Sequence, residues 1–118
     1  MNSQIFKKEI PFEIVTDFLS KNCLMTKSFF VFNIDAFKKA QYNDSLKQFL
    51  TECESYYHVS KKAKYLTKET YNAVVTIIRQ IYNFHKIPFS SKIKYAHSSY
   101  TIEYYFFSEQ NKISQLIN

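Results

Sequence analysis

The sequence predicts an α+β domain in which four helices and one short strand precede a C-terminal β-hairpin. Three observations lead there. Apolar residues recur at helical spacing in several separate stretches, an aromatic run of strand character occupies residues 28–32, and residues alternate along two neighbouring segments near the C-terminus. A chain of 118 residues, 46% of them apolar, suits one domain that buries roughly 65% of its unfolded surface without metal or disulfide staples.

The first helix is expected over residues 11–22, with Pro11 at its opening position and Phe12, Val15, Phe18 and Leu19 on one face. The run SFFVF at residues 28–32 reads as a strand. Asn33 then has the residue type of an N-cap, with Asp35 in the first turn of a short helix reaching Lys39. The tetrad QYND interrupts it, and Asn43 or Asp44 can cap the next helix, which runs to about Tyr56 with Leu46, Phe49, Leu50 and Cys53 on one face. Residues 58–65 are basic, lack a period and read as a loop. The strongest helix is expected over residues 68–85, capped by Thr67 and stopped by Pro88. Tyr71, Val74, Val75, Ile78, Ile81 and Tyr82 form its apolar stripe, which Ala73, Ile77 and Phe84 widen. Asn72, Thr76, Arg79, Asn83 and Lys86 form its polar strip. The hairpin places its strands at residues 92–95 and 100–107 around a turn at residues 96–99. Tyr100, Ile102, Tyr104 and Phe106 are expected to face the core, with Thr101, Glu103, Tyr105 and Phe107 on the other side. Residues 108–118 read as a frayed tail.

Composition excludes several functions. The chain has no Gly, so the phosphate-binding loop, the dinucleotide fingerprint and the nucleophile elbow are all absent, and turns requiring positive φ are expected to fall to Asn, Asp or Ser. His58, His85 and His97 are not spaced as metal ligands, and Glu52 and Glu54 diverge on a helix rather than forming a catalytic pair. Cys23 and Cys53 read as reduced thiols of an intracellular protein, Cys53 inert on its apolar stripe. No apolar run approaches a membrane span. The expectation is a binding protein without catalytic site, metal, cofactor or membrane contact.

Charge gives that expectation a direction. Residues 1–54 carry equal numbers of lysines and acids, whereas residues 55–102 hold seven Lys and Arg79 against Glu69 alone. Between Thr70 and Ile102 there is no acidic residue. Clustered ammonium groups release counterions from a phosphate backbone, so a nucleic acid, DNA in the first instance, is the expected partner. Lys61, Lys62, Lys64 and Lys68 form one candidate cluster, and Lys92 and Lys94 share the outer face of the first hairpin strand. Arg79, the chain's one arginine, is a candidate for phosphate or base contact, or else pairs with a carboxylate such as Glu103. Asn72 and Asn83 are candidates for base contacts. The competing expectation is a virion-associated or scaffold module that contacts viral or host proteins, or a second copy of itself, through Tyr105 and Phe107 on the hairpin and the aromatic run SFFVF at residues 28–32.

The order of elements resembles a winged helix, in which a recognition helix precedes a hairpin wing. Separately, the stretch TKETYNAVVTIIRQIYNFHKIPFSSKIKYAHSSYTIEYYF, residues 67–106, resembles short uncharacterised proteins of large nucleocytoplasmic DNA viruses. In these an IIRQI helix is followed by an IPxxSKIKYxxSxYxIxYY hairpin, matched here by residues 77–81, 87–95 and 98–105. The resemblance implies a viral protein of the host cytoplasm or nucleus, or one packaged in the virion, and carries no activity with it.

Overall fold

A computed structural model describes residues 6, 8–57 and 69–108. Their elements run α1 (Phe12–Asn22), β1 (Leu24–Thr26), β2 (Phe29–Phe32), α2 (Ile34–Tyr42), α3 (Ser45–Glu54), α4 (Tyr71–Phe84), β3 (Phe89–Ala96) and β4 (Ser99–Phe107). The α+β class and the C-terminal hairpin are as the sequence predicts. The expected loop at residues 58–65, the Thr67 cap and the tail beyond Ser108 lie outside the described residues.

The four strands form one antiparallel sheet in the order β1-β2-β4-β3. The aromatic strand β2 therefore sits centrally and pairs with the last strand, Phe32 opposite Tyr104 and Phe30 opposite Phe106. Residues directly opposite one another share a face. One face thus carries Phe30, Phe32, Tyr104, Phe106 and Phe89, and the helices pack on it. Phe32 stacks on Tyr71 of α4 with ring centres 5.5 Å apart, and Phe106 lies 4.9 Å from Tyr82. Phe18 of α1 bridges the layers, stacking at 4.3 Å on Phe49 of α3 and lying 6.2 Å from Phe32. Tyr82 sits at the centre, fully buried, its hydroxyl donating to the Phe107 carbonyl at 2.8 Å.

Polar groups fix the helix ends. Asn33 caps α2, its Oδ1 accepting from Ala36 N at 3.0 Å. Buried Asn22 donates to the Phe18 carbonyl and to Ser45 Oγ while accepting from Asn43, which joins the end of α1 to the start of α3. Such saturation is what makes a buried amide tolerable.

Several local expectations are corrected. The long helix begins at Tyr71, because Thr70 has the extended backbone of an N-cap and its Oγ1 accepts from Ala73 N. Helix α2 continues through Gln41 and Tyr42 until Asp44 adopts a left-handed conformation (φ 63°). Strand β1 is additional to the elements the sequence predicts, and β3 starts at Phe89 rather than Lys92. Among the described residues positive φ falls on Lys27, Asp44, Lys86 and His97, so only one of these four is an Asn, Asp or Ser. The two hairpins share a turn: Lys27-Ser28 and His97-Ser98 each span two residues, with only the first at positive φ. Ser108, expected in the frayed tail, is buried and donates to the Ser28 carbonyl at 2.7 Å.

Candidate nucleic-acid interface

Helix α4 buries Val74, Val75, Ile77, Ile78 and Ile81 and turns Asn72, Thr76, Arg79 and Asn83 outward, as its periodicity requires. Its exposed strip contains no carboxylate. Arg79 reaches the base of the hairpin, where its guanidinium carbon lies 5.6 Å from the centre of the Phe89 ring. A contact of that kind contributes roughly 0.5–1 kcal/mol at an exposed site and consumes no N–H donor.

The hairpin has two unlike halves. Near its base, Phe106 and Phe107 are buried and Tyr104 is half-buried. Beyond Ile102 the helices no longer cover it, and every residue from 90 to 101 is exposed. One face of this projecting ribbon carries Lys92 and Lys94, together with Ser90 and Thr101. The other carries Ile93, Tyr95 and Tyr100, which are 48%, 78% and 61% exposed. Tyr95 and Tyr100 are directly opposed across the strands, ring centres 6.2 Å apart. The ribbon contains no acid.

Glu103 stands where the ribbon meets the body. Its carboxylate accepts from Tyr105 Oη at 2.6 Å and Asn33 Nδ2 at 2.9 Å, and Lys94 Nζ is 4.0 Å away. Its side chain is only 13% exposed, against 53% for Lys94. The hydrogen bonds from Tyr105 and Asn33, with the nearby lysines adding to them against partial desolvation, hold Glu103 below the usual carboxylate range. It remains ionised and locally offsets part of the lysine charge.

No protein-family model matches the chain, and no curated protein or solved structure is significantly similar to it. What the molecule does must therefore be argued from its surface.

The predicted residues fall into two groups. Arg79, Asn72 and Asn83 share the exposed strip of α4, on the side of the sheet where Phe89 lies. Lys92 and Lys94 occupy the opposite face of the ribbon, with Glu103. The expected Arg79–Glu103 pair does not form, because the sheet separates them: Phe89 opposes Phe106 on the helical side, and Glu103 points away from it. Lys61, Lys62, Lys64 and Lys68 lie outside the described residues. Phe107, expected on an exposed contact face, is 9% exposed, since Phe29 packs against it with ring centres 5.4 Å apart. Tyr105 is half-buried and tied to Glu103. Of the aromatic run expected to make protein contacts, Phe30, Val31 and Phe32 are buried because β2 is an inner strand of the sheet, so little apolar surface is left on these residues for a second copy.

Tyr95 and Tyr100 are the surface residues that sequence reasoning missed. Alternation places Tyr100 in the core, and it does lie on the core side of its strand, but the helical layer ends before it. Between the ribbon and the body is a cleft of ≈ 320 Å³, lined by Ile34, Tyr71, Asn72, Tyr100, Thr101 and Ile102. In its lining, Tyr71 donates to the Ile102 carbonyl at 2.6 Å, and burial raises its pKa so that it stays a neutral donor. His85 is engaged with the Ile10 carbonyl at 2.6 Å, and the described residues contain no group of three or more His, Cys, Asp or Glu placed to hold a metal. No helix among them is long and apolar enough to cross a membrane.

Proposed function

We propose that the protein binds nucleic acid, DNA in the first instance, through the projecting hairpin and the exposed strip of α4. One observation carries this reading: a two-stranded ribbon exposed on both faces from residue 90 to residue 101, bearing Lys92 and Lys94 and no acid. An isolated ribbon is marginally stable in water, so one held clear of the body is a surface on offer to a partner. Its charge selects a polyanion, and lysines acting as point charges suit phosphates. Helix α4 enters the hairpin directly, as a recognition helix precedes its wing, and Arg79, Asn72 and Asn83 on its outer strip have the donors and acceptors that base edges require. The resemblance to viral proteins supports a setting in which viral DNA is at hand.

The test is a titration of labelled duplex and single-stranded oligonucleotides by fluorescence anisotropy at two salt concentrations. Affinity should fall as salt rises, and Lys92→Gln with Lys94→Gln should flatten the log–log slope by about 0.7–0.9 for each phosphate interaction removed. No binding at low salt, or binding indifferent to salt, overturns the reading.

A further inference from the structure

The polar and apolar faces of the ribbon do different things. Phosphate contact accounts for Lys92 and Lys94 but leaves the other face unexplained. There Ile93, Tyr95 and Tyr100 stand exposed on the core side of the hairpin, beyond the end of the helical layer. Aromatic rings left in water at a ribbon tip give up burial that the same residues would gain in a core, and Tyr104 and Phe106, two and three steps of the alternation nearer the base, do gain it.

From this we infer that Tyr95 and Tyr100 form a stacking platform for unpaired nucleobases, making single-stranded nucleic acid the preferred ligand. The inference rests on the nucleic-acid reading above and narrows it. Three features favour this occupant over an apolar protein surface. The chain from Tyr71 to Ile102 contains Arg79, Lys86, Lys92 and Lys94 and no carboxylate, so whatever meets the tyrosines meets a field suited to a polyanion. The rings belong to two adjacent strands, 6.2 Å between centres at 53°, so each presents its own π-face. And Tyr100 also lines the ≈ 320 Å³ cleft whose wall carries the Asn72 side chain. A base stacked on Tyr100 would have the Asn72 amide beside its edge, and an amide can both donate to and accept from a base. Bases inside a duplex keep their faces covered by their neighbours, so only an unpaired strand offers them. Lysine stems on an edge strand are long enough to follow the backbone of that strand around the ribbon.

The experiment compares a labelled oligo-dT of about twelve nucleotides, within the usual span of single-strand sites, with a duplex of equal length. The wild-type protein should bind the single strand more tightly. Tyr95→Ala and Tyr100→Ala should each weaken single-strand binding by about 5- to 100-fold and leave duplex binding and its salt slope unchanged. Both side chains are exposed, but they also face each other across the strands, so a second variant guards against a loosened hairpin. Tyr95→Phe with Tyr100→Phe keeps both ring faces and should keep the affinity. Because the chain has no Trp, its intrinsic emission comes from tyrosine; oligo-dT should quench that emission in the wild type, and most of the quench should vanish in the double Phe variant. If the Ala variants bind oligo-dT like the wild type, or the wild type prefers the duplex, the stacking platform is overturned while salt-dependent binding stands. If neither oligonucleotide binds at low salt, the nucleic-acid reading itself has failed.

Discussion

Lys86→Gly should stabilise this protein, and the reason lies in how α4 ends. The amide of Ile87 donates to the Tyr82 carbonyl at 2.9 Å and that of Lys86 to Asn83 at 3.1 Å. This paired arrangement is the Schellman motif, with Lys86 at the left-handed position (φ 57°), Ile87 buried just beyond it and Pro88 turning the chain toward the hairpin. Glycine is usual there, and this chain has none. A side chain in the left-handed region costs roughly 1–2 kcal/mol, and a glycine loses about 0.5–1 kcal/mol more backbone entropy on folding. The difference favours Gly by about 0.5–1 kcal/mol. With an unfolding entropy near 2.1 cal/mol/K per residue, a chain of this length should melt about 2–4 °C higher. Thermal unfolding followed by circular dichroism measures this. Lys86→Ala is the control, since it removes the same charge near the helix terminus but keeps the left-handed cost. If the Ala variant is as stable as the Gly variant, the backbone argument is wrong and charge is what matters.

Two further perturbations test the body of the fold. Asn33→Asp keeps the cap on α2 but replaces the amide that donates to Glu103 with a second carboxylate. In the wild type the lowered Glu103 pKa contributes stability that is present above the unfolded carboxylate pKa, about 4.3, and is lost as pH falls through the folded value. In the variant the two carboxylates repel, so the pair should cost about 1–3 kcal/mol at neutral pH and recover part of it on acidification; urea midpoints at pH 7 and below about pH 5 would show it, and an equal deficit at both would contradict it. For the cysteines, burial pushes both thiols up to about 12, so each holds about a thousandfold fewer thiolates at pH 8 than an ordinary cysteine. A disulfide reagent should therefore modify native Cys23 and Cys53 far more slowly than the unfolded chain, and fast stoichiometric labelling of the native protein would refute this.

What can be read from the sequence is local, and what cannot depends on neighbours. The cap at Asn33, the apolar faces of α1, α3 and α4, and the burial of Cys53 follow from residue type and period, and all are found. Strand β1 is illegible because Leu24, Met25 and Thr26 are all exposed and do not alternate; it is a strand only because β2 lies beside it. The same reasoning explains Phe107. It does lie on the outer side of β4, as alternation requires, but it is buried by Phe29, which the central placement of β2 brings against it. Turn chemistry fails for another reason: in a chain without Gly, the hairpins set the backbone twist and Lys27 and His97 accept it. For the site, alternation correctly puts Lys92 with Lys94, and helical period puts Arg79 with Asn72 and Asn83. Neither rule says on which side of the sheet the helix lies, so the separation of the two groups is invisible in the sequence.

That separation changes what the basic segment means. Net charge alone would suit a solvated surface, and lysines on an edge strand also discourage unwanted strand pairing. Discouraging aggregation, however, does not require two tyrosines and an isoleucine on the opposite face, which would favour it. The anchors are all below the ribbon: Tyr82 holds the Phe107 carbonyl, Tyr71 holds that of Ile102, and Asn33 and Tyr105 hold Glu103. The one carboxylate of the hairpin is thus fastened at the level where exposure begins, and above it the ribbon carries lysines, hydroxyls and rings but no acid. A partner that reached the ribbon would find phosphate-binding charge on one face and ring surface on the other, on a frame fixed from below. Those are the two demands of a single strand, whose backbone is anionic and whose bases are uncovered.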